Sequence, residues 1–398
     1  MRKIKIINGN IITPYRIITN GTVLISGDHI ELISEKDIAA PGYEVIDAKG
    51  YYVSPGFIDI HIHGGGGHDF MDGTEEAYLK IAEVHAMYGT TAMAPTTLTC
   101  AREDLLKAVD LYRSANSKNI KGAQFIGMHL EGPYFALSQS GAQDPRYIRN
   151  PDVEEYREII AYGADVIKRW SVAPELPGAI EMGKYLRANG IIAAIAHTDA
   201  IYEEVLEAVE NGYSLATHLY SAMSGVTRRN TYRYAGVIES AFLIDAMDVE
   251  IIADGIHLPP PLLKLVYKIK GPDRIALITD AMRGAGMPEG ESVLGNKDTG
   301  LKVIIENGVA IMADRSSFAG SVATADRLIR TMVRMADIPL VEAVRMLSKS
   351  PATMMGVESE KGSLAAGKDA DILIFDDNIN IKITMIKGTV VYTSTDFA

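Results

Sequence analysis

The chain has 398 residues, 47% hydrophobic and 23% charged, which fits a soluble globular protein large enough for one barrel or two to three smaller domains. A formal net charge of −12 argues against general binding to nucleic acid or anionic membranes, so an anionic substrate would need a local basic patch. A single cysteine, Cys100, excludes an internal disulfide. No apolar run approaches the roughly 20 residues of a membrane span, and the first ten residues lack the apolar core of a signal peptide, so a cytoplasmic protein is expected.

Residues 1–53 read as all-β, with short apolar runs at 4–7, 23–25 and 30–33 and tight turns expected at Asn8-Gly9 and Ser26-Gly27-Asp28. Pro55-Gly56 marks a boundary. Strand-like runs then recur at 57–63, 91–97, 124–131, 169–173, 191–198, 214–220, 249–253 and 274–280. Between most of them lie helical patterns, at 75–88, 103–114, 178–188, 202–210 and 261–269. Eight alternations predict a (β/α)8 TIM-type barrel over 54–361. A doubly wound open sheet alternates in the same way. The barrel is preferred because ionisable residues recur at so many strand ends, which only a barrel gathers at one mouth. Residues 281–320 form a Gly-rich connection with a hairpin expected between 303–305 and 309–312, and helices follow at 323–335 and 340–348. Strands at 370–375, 381–386 and 389–392 are expected to join those of 1–53, so that 362–398 completes a small β-sandwich domain built from both termini.

The stretch Phe57-Ile58-Asp59-Ile60-His61-Ile62-His63-Gly64 places two imidazoles on one strand face, since side chains two apart share a face. Alone, such a pair is half a metal site or two packed histidines. The other strand ends supply Glu131, His197, His218, Asp254 with His257, and Asp280. Imidazoles and carboxylates without cysteine suit zinc or iron first, and manganese or cobalt next. The candidates suffice for two ions with Glu131 bridging, although one occupied position would also work. Such an ion acidifies water and polarises a carbonyl. Asp280 stands where a general base and then acid is wanted, or serves as a ligand, or both. His257 is placed to hydrogen-bond a carbonyl oxygen as charge develops. His129 is expected to back the ligands rather than join them, and His85 and Cys100 to be structural. Residues 64–67 lack the Lys-Ser/Thr of a phosphate-binding loop and read as a flexible turn.

Pro-Gly-Phe-Ile-Asp-Ile-His-Ile-His-Gly, His-Leu-Glu-Gly-Pro, Ala-His-Thr-Asp-Ala, Thr-His-Leu-Tyr, Ala-Asp-Gly-Ile-His and Thr-Asp-Ala-Met occur in that order. The set resembles the amidohydrolase superfamily, and within it the N-acetylglucosamine-6-phosphate deacetylase family, over nearly the whole chain. The resemblance implies metal-dependent removal of an acetyl group from an amino-sugar phosphate. It implies a metal at Glu131, His197 and His218, a second position at His61 and His63, and Asp280 as acid/base. It places substrate contacts at Ala142, Ser221, Ala222, Arg229, Asp254, His257, Phe318, Ala319 and Gly320, and implies a homodimer. Relatives with a carboxylated lysine on the fourth barrel strand are a poor match, because that strand ends Val172-Ala173-Pro174-Glu175.

The chain departs from the family pattern on the substrate side. Ser221 stands where Asn is usual, and Gln139, Ser140 and Gln143 replace Lys, Lys and His. A phosphate would rely on Arg228, Arg229 or Arg233, whose guanidinium groups suit bidentate binding. The lesser alternative for these arginines is an exposed basic turn or a subunit contact.

Overall fold

In the computed structural model, which describes residues 2–397, the N-terminal strands are Lys3–Ile12, Ile17–Ser26, His29–Ser34, Glu44–Asp47 and Tyr52–Pro55. Asn8-Gly9, expected as a turn, lies inside the first of these. The register against the second strand slips between Ile6 and Gly9, a bulge in which Asn8 adopts φ 54°. A Cβ on Gly9 would stand 2.4 Å from Val53 Cγ2, so close packing with the neighbouring strand demands glycine there. Ser26-Gly27-Asp28 does turn, with Gly27 at φ 64°.

Strands Ile372–Phe375, Ile381–Ile386 and Thr389–Thr393 return to this region, and Ile372–Phe375 pairs antiparallel with Tyr52–Pro55. Hydrogen bonding runs unbroken through one eight-stranded sheet built from both ends of the chain. Its core includes Ile4, Ile6, Val23, Ile25, Ile372 and Ile374. Buried Lys361 ties this sheet to the barrel, bonding Asp369 Oδ2 at 2.6 Å, Asp371 Oδ2 at 2.8 Å and Gln124 Oε1 at 3.1 Å.

The barrel strands are Phe57–Ile62, Thr90–Pro95, Gln124–Phe125 continued by Met128–Glu131, Ile167–Val172, Ile192–Ile195, Tyr213–Ala216, Asp248–Ile252 and Ile275–Ile278. All pair in parallel with their neighbours in chain order. The ring closes where Asp280 N–H donates to His61 O and His63 N–H donates to Ala281 O, both at 2.9 Å. One buried cluster of Ile58, Ile60, Ala92, Ile252, Ala276 and Ile278 joins the first, second, seventh and eighth strands.

The seven expected helices occur as Glu75–Met87, Arg102–Lys118, Ala179–Ala188, Tyr202–Glu210, Pro260–Lys270, Ala325–Arg334 and Leu340–Met346. Three more among the described residues, Val153–Tyr162, Val237–Leu243 and Lys349–Met354, lie outside the sequence expectation. The first carries a readable start signal, because the Asp152 side chain accepts the Glu155 N–H at 2.9 Å. Within 281–320 the expected hairpin is the centre of a four-stranded sheet, Gly290–Leu294, Leu301–Glu306, Val309–Met312 and Phe318–Ser321. Among the described residues no helix is long and apolar enough to cross a membrane.

Candidate active site

The strand ends bring six ionisable side chains together at the barrel mouth, all buried. His61, His63 and Asp280 form one triad, and Glu131, His197 and His218 a second, with the ligand atoms of each within 4.8 Å of one another. Glu131 straddles the two. Its Oε1 lies 3.0 Å from His218 Nε2, 3.5 Å from His197 Nε2 and 3.4 Å from His61 Nε2, while its Oε2 lies 3.3 Å from His63 Nε2. Asp280 Oδ1 is 3.2 Å from His63 Nε2 and 3.6 Å from His61 Nε2. Ligands about 2.1 Å from one ion at a tetrahedral angle stand about 3.4 Å apart, so these spacings fit a shared cation without rearrangement.

Backbone strain accompanies this convergence. His197, His218 and Asp280 have φ of 46°, 30° and 47°, and Tyr220 and Ala222 follow at 80° and 48°. Side-chain-bearing residues avoid this left-handed region, so the turns are imposed by their surroundings. After the first strand, Gly64–Gly65 pairs antiparallel with His68–Asp69, so the turn expected at 64–67 occurs as the tip of a short hairpin. His85 packs beneath it and donates from Nε2 to Gly64 O at 2.9 Å. A Cβ on Gly65 would meet that ring at 2.5 Å.

Other side chains hold the ligands. Gln143, on the loop after the third strand, donates from Nε2 to Glu131 Oε2 at 2.6 Å and accepts the Thr99 N–H at 2.8 Å. His197 Nδ1–H donates to Gln139 O at 2.7 Å, and the Phe135 ring stacks on His197 at 4.4 Å. His129 lies under the centre, its ring edge-on to His61 at 4.7 Å and its Nε2 bonded to Ser171 Oγ at 2.7 Å.

Burial works against charge on Glu131 and Asp280, but the neighbouring imidazoles outweigh it and hold both carboxyls below their usual range, Glu131 well below. Burial likewise opposes charge on His61 and His63, yet the two carboxylates raise His61 to about 9 and His63 well above its ordinary value. The centre gathers positive charge around two buried anions. A divalent cation meets the same demand through the imidazole lone pairs, so the donor set fits a metal.

The candidate ligands floor an open cleft of about 330 Å³. Ala142, Ser221, Ala222, His257, Phe318 and Gly320 line it, as do Leu98, Tyr220, Ile252, Leu294 and Ser317, which sequence reasoning missed. The four-stranded sheet brings Ser317 and Phe318 to the rim, a placement that no local signal announces. Asp254 sits behind His257, accepting its Nδ1–H at 2.8 Å, and Ala319 is buried beside the cleft. Arg228, Arg229 and Arg233 are not brought into it. They stand on an exposed hairpin, Thr227–Arg229 with Tyr232–Tyr234, and the Arg229 guanidinium lies 5.5 Å over the Tyr234 ring. Among the described residues no lysine or arginine lines the cleft.

The profile of the Amidohydrolase family matches residues 52–391. N-acetylglucosamine-6-phosphate deacetylase of Lysinibacillus sphaericus is 35% identical over 353 residues, 89% of each chain. The Bacillus subtilis enzyme of that name is 32% identical over 390 residues, covering 97% of this chain and 96% of its own. An N-acetylgalactosamine-6-phosphate deacetylase of Escherichia coli O157:H7 is 31% identical, covering 84% of this chain and 86% of its own. Among solved structures, N-acetyl-D-glucosamine-6-phosphate deacetylase of Mycobacterium smegmatis, in complex with N-acetyl-D-glucosamine 6-phosphate, superposes with a TM-score of 0.90 at 29% identity, over 99% of this chain and 100% of that one. With these matches over nearly its full length, the chain belongs to the amidohydrolase family, in the group of N-acetylglucosamine-6-phosphate deacetylases.

Proposed function

We propose that this chain hydrolyses the N-acetyl group of N-acetylglucosamine 6-phosphate, giving acetate and glucosamine 6-phosphate. The observation that carries the reading is Glu131 straddling the two triads, with Asp280 beside His61 and His63 on the floor of an open cleft. The named relatives supply the substrate class. A divalent ion held by Glu131, His197 and His218, with His61, His63 and Asp280 offering a second position, would supply Lewis acidity toward water and the amide carbonyl.

The chain's own groups do the rest. Asp280 accepts a proton from the attacking water and returns it to the amide nitrogen as the C–N bond breaks, so the amine leaves neutral. Asp254 takes the Nδ1–H of His257, which leaves Nε2 as the ring atom free to meet the substrate. The Phe318 ring, 4.5 Å from that imidazole, fixes its plane. Ser221, Ala222 and Ala142 contact the sugar in this reading. The phosphate falls to Arg228, Arg229 or Arg233, brought to it by closure of the hairpin or by assembly as a homodimer. Zinc or iron is the proposed ion, and the cytoplasm the proposed location.

A second reading keeps the reaction and changes the substrate to N-acetylgalactosamine 6-phosphate or an acetamido compound without phosphate. The absence, among the described residues, of a lysine or arginine from the cleft lining favours the substrate without phosphate, as does the turning of Gln143 toward Glu131. Acetate release from the metal-loaded enzyme on N-acetylglucosamine, its 6-phosphate and the galactosamine 6-phosphate epimer separates them. The first reading expects N-acetylglucosamine 6-phosphate to have the highest kcat/KM. Equal turnover without phosphate would establish the second, and no acetate from any of the three would end both.

A further inference from the structure

Deeper in the barrel, below the candidate metal centre, lies a polar cluster that no ligand role explains. Arg169 and Glu250 are fully buried and ion-paired through both carboxylate oxygens, with Nη2–Oε2 at 2.7 Å. Arg169 also donates to Thr217 Oγ1 at 2.8 Å and to Ile60 O at 3.2 Å. Ile60 precedes His61 and Thr217 precedes His218, so one side chain holds the backbone beside a residue of the first triad and the neighbouring hydroxyl beside a residue of the second. Glu250 Oε2 lies 3.4 Å from His61 Nδ1. Thr217 Oγ1 continues to Ser171 Oγ at 2.9 Å and thence to His129, whose ring abuts His61.

Stability is a weak reason for such a pair, because the desolvation of two buried charges commonly offsets their attraction. The rear nitrogens of the other ligand imidazoles are served differently. His63 Nδ1 faces Thr96 O at 3.3 Å, His197 Nδ1 faces Gln139 O, and His218 Nδ1 has no partner among the described residues. Of the four, His61 alone is backed by a carboxylate. A carboxylate at Nδ1 keeps the proton there, presents the Nε2 lone pair to the centre and strengthens it as a donor.

We propose that Arg169 and Glu250 are positioning residues for His61 and thereby set how tightly the His61–His63–Asp280 position holds its ion. The inference rests on the metal reading above. The test titrates metal-free wild type, Glu250→Gln and the apolar pair Arg169→Met/Glu250→Leu with Co(II) against a chelator, following the visible absorption of the bound ion. The double variant leaves no orphaned charge and is expected to keep the wild-type circular dichroism. In it one step of Co(II) binding weakens by about 10- to 100-fold, with an altered absorption band for that step. Glu250→Gln shifts in the same direction. If either folded variant binds with the isotherm and spectrum of a Co(II)-binding wild type, this inference is overturned while the metal reading stands. A wild type that takes up no Co(II) ends both.

Discussion

Asp280 is asked to do two things with one carboxylate: to stand within ligand distance of His61 and His63, and to carry a proton between water and nitrogen. Asp280→Asn keeps the shape and an oxygen donor but not the basicity. We expect metal content within reach of the wild type and kcat lower by about 10²- to 10⁴-fold, measured as acetate release beside elemental analysis. A variant retaining more than a tenth of wild-type kcat would remove the assigned role. Gln143 makes a different point. In the sequence it reads as a lost substrate donor, but in the fold its amide is spent on Glu131 and Thr99 N–H. Gln143→Leu fills the same space without the donor. It is expected to weaken metal binding by about 10-fold in chelator competition, more than it raises KM. The convergence of the candidate ligands was legible because imidazole and carboxylate recur at successive strand ends, which a barrel gathers at one mouth. The side chains that hold them were not, because Arg169, Glu250 and Gln143 find their partners only through the closed barrel.

At the scale of elements, local patterns located the strands and most helices, since apolar periodicity records which faces are buried. They failed where tertiary contact overrode local chemistry. Asn8-Gly9 has turn residues, yet the neighbouring strands absorb it as a bulge. Residues 281–320 are rich in glycine, yet they make a sheet whose last strand walls the cleft. The helix Glu75–Met87 tests such a contact. Burial holds its His85 imidazole at a pKa of about 4, well below the ordinary 6.5. The unfolded chain therefore takes up a proton first, and His85 contributes a loss of stability as pH falls from about 6.5 toward about 4. Between pH 7.5 and pH 5 its share is about 2 kcal/mol. Comparing wild type with His85→Gln by urea unfolding at the two pH values should show a shallower decline in the variant; parallel declines would exclude the effect. The Arg228–Arg233 hairpin tests the phosphate assignment. Replacing Arg228, Arg229 and Arg233 together by Gln should raise KM for N-acetylglucosamine 6-phosphate at least 10-fold and leave KM for N-acetylglucosamine unchanged. Equal KM values for the phosphorylated sugar before and after would show that the hairpin plays no part.

Across the whole molecule, the sheet from the two termini is joined to the barrel by buried polar contacts as well as apolar ones. Lys361 is nearly inaccessible and satisfied by Asp369, Asp371 and Gln124. Lys361→Met leaves Asp371 without its cation and Asp369 with the longer Lys387 pair at 3.7 Å, and is expected to cost about 3 kcal/mol in urea unfolding. Metal affinity should be untouched, since the joint lies away from the mouth. The shared carboxylate of Glu131 has a consequence of its own. Its two oxygens face different sets of imidazoles, so an ion that settles on one side withdraws electron density from the other. Loading of the two positions would then be anticooperative, with the singly loaded form favoured when metal is scarce; a Co(II) titration whose second step is as tight as its first would exclude this. Enzyme grown with scarce metal would be a population of half-filled molecules, each a little reluctant to accept its second ion.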